Sequence, residues 1–125
     1  MYVSNATIQS REMPEGYTTN QTARSGFWIG NGKNNVTVHM DRCKILTDTV
    51  AFVLGSEFGE QNNKLYISNS TIGKNNKIRI DNNTHRIYIG KGCNFDISDV
   101  FIPDGNTQFN LTTAVFTTNE VYTKK

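Results

Sequence analysis

LYISNSTIGKNNKIRIDNN (65–83) and IYIGKGCNFDISDVFIPDG (87–105) are one pattern written twice. Leu65 falls on Ile87, Tyr66 on Tyr88, Ile67 on Ile89, Ile78 on Val100 and Ile80 on Ile102, each pair 22 positions apart. A further step of 22 carries Ile87 to Phe109 and Ile89 to Leu111. The opening residues MYVSNATI (1–8) repeat LYISNSTI (65–72) almost letter for letter. A fixed period of this length, built on apolar–x–apolar triplets, predicts a chain that coils and stacks on itself.

Each coil is expected to hold a first strand, a short second strand and a third strand, separated by Asn- and Gly-rich corners. First strands are expected around Tyr2, Val36–Val38, Leu65–Ile67, Ile87–Ile89 and Phe109–Leu111. Their midpoints Tyr2, Thr37, Tyr66, Tyr88 and Asn110 lie 35, 29, 22 and 22 residues apart. Third strands follow as Phe27–Ile29, Phe52–Leu54, Ile78–Ile80 and Val100–Ile102. The early excess over 22 is assigned to loops: a long one at about 9–26 containing Pro14 and Gly16, and smaller insertions within 44–49 and 55–63. One domain spans 1–125, with the last coil and C-terminal end at about 106–125. In this register Cys43 aligns with Ile72 and points inwards, whereas Cys93 aligns with Thr71 two coils away. That separation, about 10 Å, exceeds disulfide reach, so both are expected to be free thiols.

Composition narrows the function classes. Hydrophobic content of 36% and charged content of 19% are both low, but the Ile/Val/Phe/Tyr triplets argue against disorder. A net charge of +2 gives no reason to expect nucleic acid or an acidic membrane as partner, and no segment is apolar for the roughly 20 residues of a membrane span. Two cysteines and no spaced His/Cys cluster offer no metal site, and no phosphate loop or Ser-His-Asp set implies a cofactor or that kind of catalysis.

VTVHMDRCKI (36–45), LYISNSTI and MYVSNATI resemble the first-strand and corner pattern of right-handed parallel β-helix proteins, the superfamily of pectate lyases and bacteriophage tailspikes. The resemblance covers most of the chain and speaks to fold far more than to substrate. It implies an all-β, single-stranded right-handed parallel β-helix of about five coils. Asn5 and Asn69 occupy the corner where such helices often carry Asn, whose side chain bonds backbone in a turn. A left-handed helix of the hexapeptide acyltransferase kind, suggested by IGKNNKI (72–78) and IGKGCNF (89–95), needs 18 residues per turn and misfits the spacing of 22.

Outward side chains carry the candidate chemistry. Tyr66 and Tyr88 are expected to stack at coil spacing, as a carbohydrate-binding surface for sugar rings or as packing on a sheet face; Arg86, Arg79 and His85 lie close enough in sequence to meet an acidic saccharide there. On the third strands Trp28, Val53 and Phe101, with Tyr122 next, make an outward apolar column expected to be buried by self-association. Tailspikes are homotrimers of side-by-side β-helices, so the resemblance implies a homotrimer. Asp41 with His39 and Arg42 is the one acid–base constellation, and no second coil stacks another acid beside it.

The expected role is therefore a tailspike C-terminal module, extracellular on the virion tail, that assembles as a trimer and binds bacterial capsular or surface polysaccharide. The alternatives are a polysaccharide lyase or hydrolase fragment and a trimerisation module without ligand. A start inside the first strand leads to the expectation of a longer upstream tailspike chain.

Overall fold

The computed structural model describes residues 1–9, 26–47, 50–56, 58–103 and 110–123. Most of the loop expected at about 9–26 lies outside the described residues, as do Phe109 and the acids Glu12, Glu15, Asp48, Glu57 and Asp104.

Three parallel sheets are built from strands that pair with their counterparts further along the chain. The first sheet contains β1 (Tyr2–Ser4), β4 (Thr37–Asp41), β7 (Lys64–Ser68), β10 (Arg86–Ile89) and β12 (Val115–Thr117) in that order. The second contains β2 (Thr7–Gln9), β5 (Lys44–Leu46) and β8 (Thr71–Ile72). The third runs β11 (Val100–Phe101), β9 (Lys77–Ile80), β6 (Val50–Leu54) and β3 (Phe27–Trp28). The chain visits the first, second and third sheets in turn, three times over, then the first, third and first again. Parallel pairing requires such a crossover between partners, and the order is compatible with a β-helix.

Period-2 alternation sends one set of side chains to the axis. Val38, Met40, Leu65, Ile67, Ile87, Ile89 and Val115 from the first sheet meet Ile45 and Ile72 from the second. Ile29, Phe52, Leu54, Ile78, Ile80 and Val100 close the third wall, and each of these residues is at most 6% exposed. Burying one such side chain contributes roughly 1.5–3 kcal/mol, so the stacked rows dominate the stability of the fold.

On the third wall the expected register is the observed one: Phe27 opposes Phe52, Phe52 opposes Ile78, and Ile78 opposes Val100. Tyr66 and Tyr88 also stand opposite each other, as do Leu65 and Ile87. Two first strands differ. Tyr2 opposes His39 rather than Thr37, so Val38 and Met40 take the inward places expected for Val36 and Val38. Val36, Val38 and Met40 are all apolar, and a slip of two residues leaves every side chain on its face; alternation alone therefore cannot choose between the registers. The fifth first strand is β12, with Val115 opposite Ile87, 28 residues on rather than 22. Leu111 instead enters a 3₁₀ turn (Leu111–Thr113) capped by Asn110, whose side chain accepts the Thr112 N–H at 3.0 Å. In the second sheet Ile45, not Cys43, stands opposite Ile72. Cys43 and Cys93 are both free, as expected.

The abundance of Asn has a structural cause. Corners that leave strand geometry leave backbone groups without ladder partners, and a side-chain amide can supply both a donor and an acceptor. Asn63, fully buried, accepts the Val36 N–H at 2.9 Å and donates to Lys33 O at 3.0 Å. Asn76 accepts the Thr47 N–H at 3.0 Å and donates to Thr47 O at 2.6 Å. Asn94 closes the same two-point clamp on Ile72, at 2.9 and 3.0 Å.

His85 is fully buried in the corner beside Asn63. Its Nδ1 accepts the Asn63 N–H at 3.0 Å, so Nε2 carries the proton and donates to Gly55 O at 2.9 Å. Burial pushes this imidazole down, against the opposing pull of the Gly55 carbonyl, Asp81 and Glu60. Glu60, 1% exposed, accepts the Phe58 N–H at 2.6 Å through Oε1. Its Oε2 has no hydrogen-bond partner among the described residues. Burial pushes that carboxyl up; the Phe58, Glu60 and Gly32 amides with His85 outweigh it and hold the carboxyl below its usual range.

The sign for His85 follows from linkage. Its folded pKa lies below the unfolded value of about 6.5, so within that window the unfolded chain binds more protons and stability falls as pH drops. The urea midpoint is therefore expected to fall between about pH 7 and pH 5. The drop should persist in a His39→Phe chain, since Phe already occupies the equivalent place at Phe116; a flat profile in that variant would show that His85 is not held neutral.

Candidate functional site

The outward face of the first sheet carries a continuous aromatic ladder. Tyr2, His39, Tyr66, Tyr88 and Phe116 follow one another with ring centroids 4.5, 4.7, 4.4 and 5.3 Å apart and planes within 22° of parallel. Strands about 4.8 Å apart set this spacing, because identical rows repeat at the distance at which flat rings touch. Tyr122 packs edge-on against Tyr66 at 5.2 Å. Burial, with Tyr88 and Tyr122 acting in the same direction, pushes the Tyr66 phenol up. Burial and then the amino terminus push His39 down, and its buried Nδ1 finds no hydrogen-bond partner among the described residues.

The expected Tyr66–Tyr88 stack is present, and its geometry defines what it can do. The faces of both rings are covered by neighbouring rungs, so the ladder offers solvent edges rather than faces. A sugar ring packs its apolar side on an aromatic face; here those faces already have partners. The basic residues named with the ladder are dispersed. Arg86 shares its strand but turns back to Asn83 O and His85 O. Arg79 lies on the third sheet in a double contact with Asp81, Nε–Oδ1 2.6 Å and Nη2–Oδ2 3.0 Å. His85 points inwards and is buried.

The apolar column on the third sheet also differs from expectation. Trp28, Val53, Arg79 and Phe101 do stand in register. Val53, however, has 0% exposure in the single chain, and Trp28 and Phe101 are half-buried. No second copy is needed to cover Val53, which was expected to be buried by self-association. Tyr122 does not continue this column but lies on the first sheet, its N–H donating to Ser68 Oγ at 2.8 Å. Sequence could not show this, because the chain turns back after β12 and runs across strands: Lys91 N–H donates to Glu120 O at 3.1 Å.

Asp41, His39 and Arg42 are not assembled as an acid–base set. The Asp41 carboxylate is almost fully buried, with Oδ1 accepting from Ser68 Oγ at 2.8 Å and Asn69 Nδ2 at 3.0 Å. Its Oδ2 faces Arg42 Nε at 3.0 Å. His39 is held between Tyr2 and Tyr66. A proton acceptor must reach substrate, and this carboxylate is already occupied on both oxygens.

Asp41 sits instead behind a surface groove. The corner between the first and second sheets repeats one backbone shape: Asn5, Arg42 and Asn69 all adopt positive φ, at 56°, 54° and 49°. Along it runs a shallow groove of about 430 Å³ lined by Asn5, Ala6, Thr7, Arg42, Cys43, Lys44, Asn69 and Thr71. It crosses three successive levels, about 10 Å between the outer two. Asn5, Thr7, Arg42, Lys44, Asn69 and Thr71 are exposed, whereas Cys43 is buried, its thiol directed to Val3 O and Asp41 O. Burial pushes the half-buried Cys93 thiol up, away from reactive thiolate. Lys44, Thr7 and Thr71 were not singled out from sequence. The signal was present: HMDRCKI (39–45) aligns with YVSNATI (2–8) and YISNSTI (66–72), with Arg42 in place of the corner Asn.

No protein-family model, no curated protein and no solved structure matches the chain.

Because the ladder rungs touch face to face, their contributions are expected to couple. A Tyr66→Ala, Tyr88→Ala double-mutant cycle in urea should give a coupling of about 0.5–1.5 kcal/mol. Additive single effects would show that the rings do not support one another.

Proposed function

We propose that the chain is a right-handed parallel β-helix of about five coils that serves as a recognition module, tailspike-like in kind, for bacterial surface polysaccharide. The 22-residue repeat and the order of the three sheets support the fold part of this reading. The observation that carries the binding part is the corner groove. It runs along the stack rather than into it, and its exposed lining is Asn, Thr, Arg and Lys. An open, polar channel crossing several coils suits an extended hydroxyl-rich polymer, whose residues can be met by repeated hydrogen-bonding groups. Degradation of the polymer has no comparable support, because it calls for two carboxyls about 5–9.5 Å apart with access to the glycosidic bond. Asp41, which holds two of the groove's described side chains, has both oxygens engaged by the protein.

Titration with purified capsular and O-antigen polysaccharides tests this. Binding is expected to weaken about fivefold or more in Lys44→Ala and to be unchanged in Tyr88→Ala. Loss in Tyr88→Ala with Lys44→Ala unaffected would move the site to the ladder. Release of unsaturated or reducing-end products would favour the degradative reading, and no binding to any bacterial polysaccharide would leave a structural module.

A further inference from the structure

We infer that the groove contains an anion subsite, formed by Arg42 and Lys44 and held in place by Asp41, that takes the carboxylate of an acidic saccharide; this rests on the recognition role proposed above. Two anomalies meet in one coil. The left-handed corner is occupied by Asn5 and Asn69 in the levels on either side, a residue type that accepts positive φ readily. Arg42 accepts it poorly and has no short polar group to bond its own backbone. Backbone strain of this kind persists where a side chain is wanted for another purpose. The residue before it is the second anomaly. Ser4 and Ser68 stand beside Asp41 in the strand register, yet only this coil buries a carboxylate there.

The two are parts of one arrangement. Asp41 Oδ2 faces Arg42 Nε at 3.0 Å, while the arginine side chain remains 56% exposed to the groove. Asp41 Oδ1 holds the amide nitrogen of Asn69, another lining residue, at 3.0 Å. Ser68 Oγ donates to the same oxygen at 2.8 Å and in turn accepts the Tyr122 N–H. Asp41 is thus a positioning residue: it orients two groove side chains and does not reach the ligand. Lys44, exposed two positions on, adds a second cation, and none of the residues lining the groove is acidic. A neutral sugar would need no such pair. A planar carboxylate matches a guanidinium whose orientation is already set.

The test is a ¹⁵N-resolved NMR titration of the full chain with a glucuronate-containing oligosaccharide and with its methyl ester, which differs only in charge. The acid is expected to shift Arg42, Lys44, Asn69 and Thr71 and to bind about tenfold more tightly than the ester, with the difference shrinking in about 0.3 M salt. Arg42→Gly, whose backbone suits the corner but which removes the partner of Asp41 Oδ2, and Lys44→Gln should each weaken the acid about fivefold, with the melting temperature kept in Lys44→Gln. Asp41→Asn should weaken it and move the Arg42 Nε resonance, with Asp41→Glu restoring part of both; an unchanged Nε resonance would overturn the positioning role. Equal binding of acid and ester would overturn the anion subsite and leave the saccharide reading standing. Shifts confined to Lys64 and Arg86 would place the anion elsewhere. No shift at millimolar acid would overturn the subsite, whatever the surface polysaccharides do.

Discussion

Parallel stacking at one strand spacing is the interaction on which everything else depends. Each paired strand residue lies a strand spacing of about 4.8 Å from its partner in the next strand, so a side chain that suits its position must also suit its own near-copy. Inside, this produces rows such as Val38, Leu65 and Ile87, and Ile45 and Ile72. Outside, it produces the ring ladder from Tyr2 to Phe116. The same constraint acts on polar groups. A row can be apolar, aromatic or amide, but an isolated charge within a row requires a partner from outside it.

The corners show how that demand is met. Asparagine accepts the left-handed conformation, and its amide replaces ladder bonds that a turning backbone cannot make. Asn63, Asn76 and Asn94 do this from within or beside the core. Where the chain departs from the repeat, at Asp41 and Arg42, the two pair with each other and Asp41 takes Ser68 and Asn69 from the next strand level, with Ser68 in turn held by the returning C-terminal segment. That concentration of unlike residues in one coil separates a candidate binding surface from a scaffold that is otherwise repetitive.

Two surfaces first compete for the role of site, and geometry separates them. The aromatic ladder is the more conspicuous in sequence, but stacking occupies its ring faces and converts it into packing. The groove is inconspicuous in sequence because its exposed residues are polar, and because Arg42 disguises the repeat of the corner. Its opening along the stack gives it the better claim on an extended ligand.

The 22-residue repeat determined by itself that the chain is all-β, that strands recur in three rows, and that the third wall stacks Phe27, Phe52, Ile78 and Val100. These are local periodicities, legible because each coil must resemble the next. Alternation left the register of Thr37–Asp41 open, since Val36, Val38 and Met40 satisfy it in either of two placements, and Arg42 in place of the corner Asn masked the alignment that fixes it. The tertiary structure settles it by setting His39 between two tyrosines and Arg42 in the left-handed corner. It alone decided that Val53 is covered, that Asp41 is enclosed, and that Tyr122 returns to the first sheet. Asp41 is enclosed by side chains of the next strand level and Tyr122 sits on a segment that runs back across the strands, and a pattern that repeats along the chain carries no record of either.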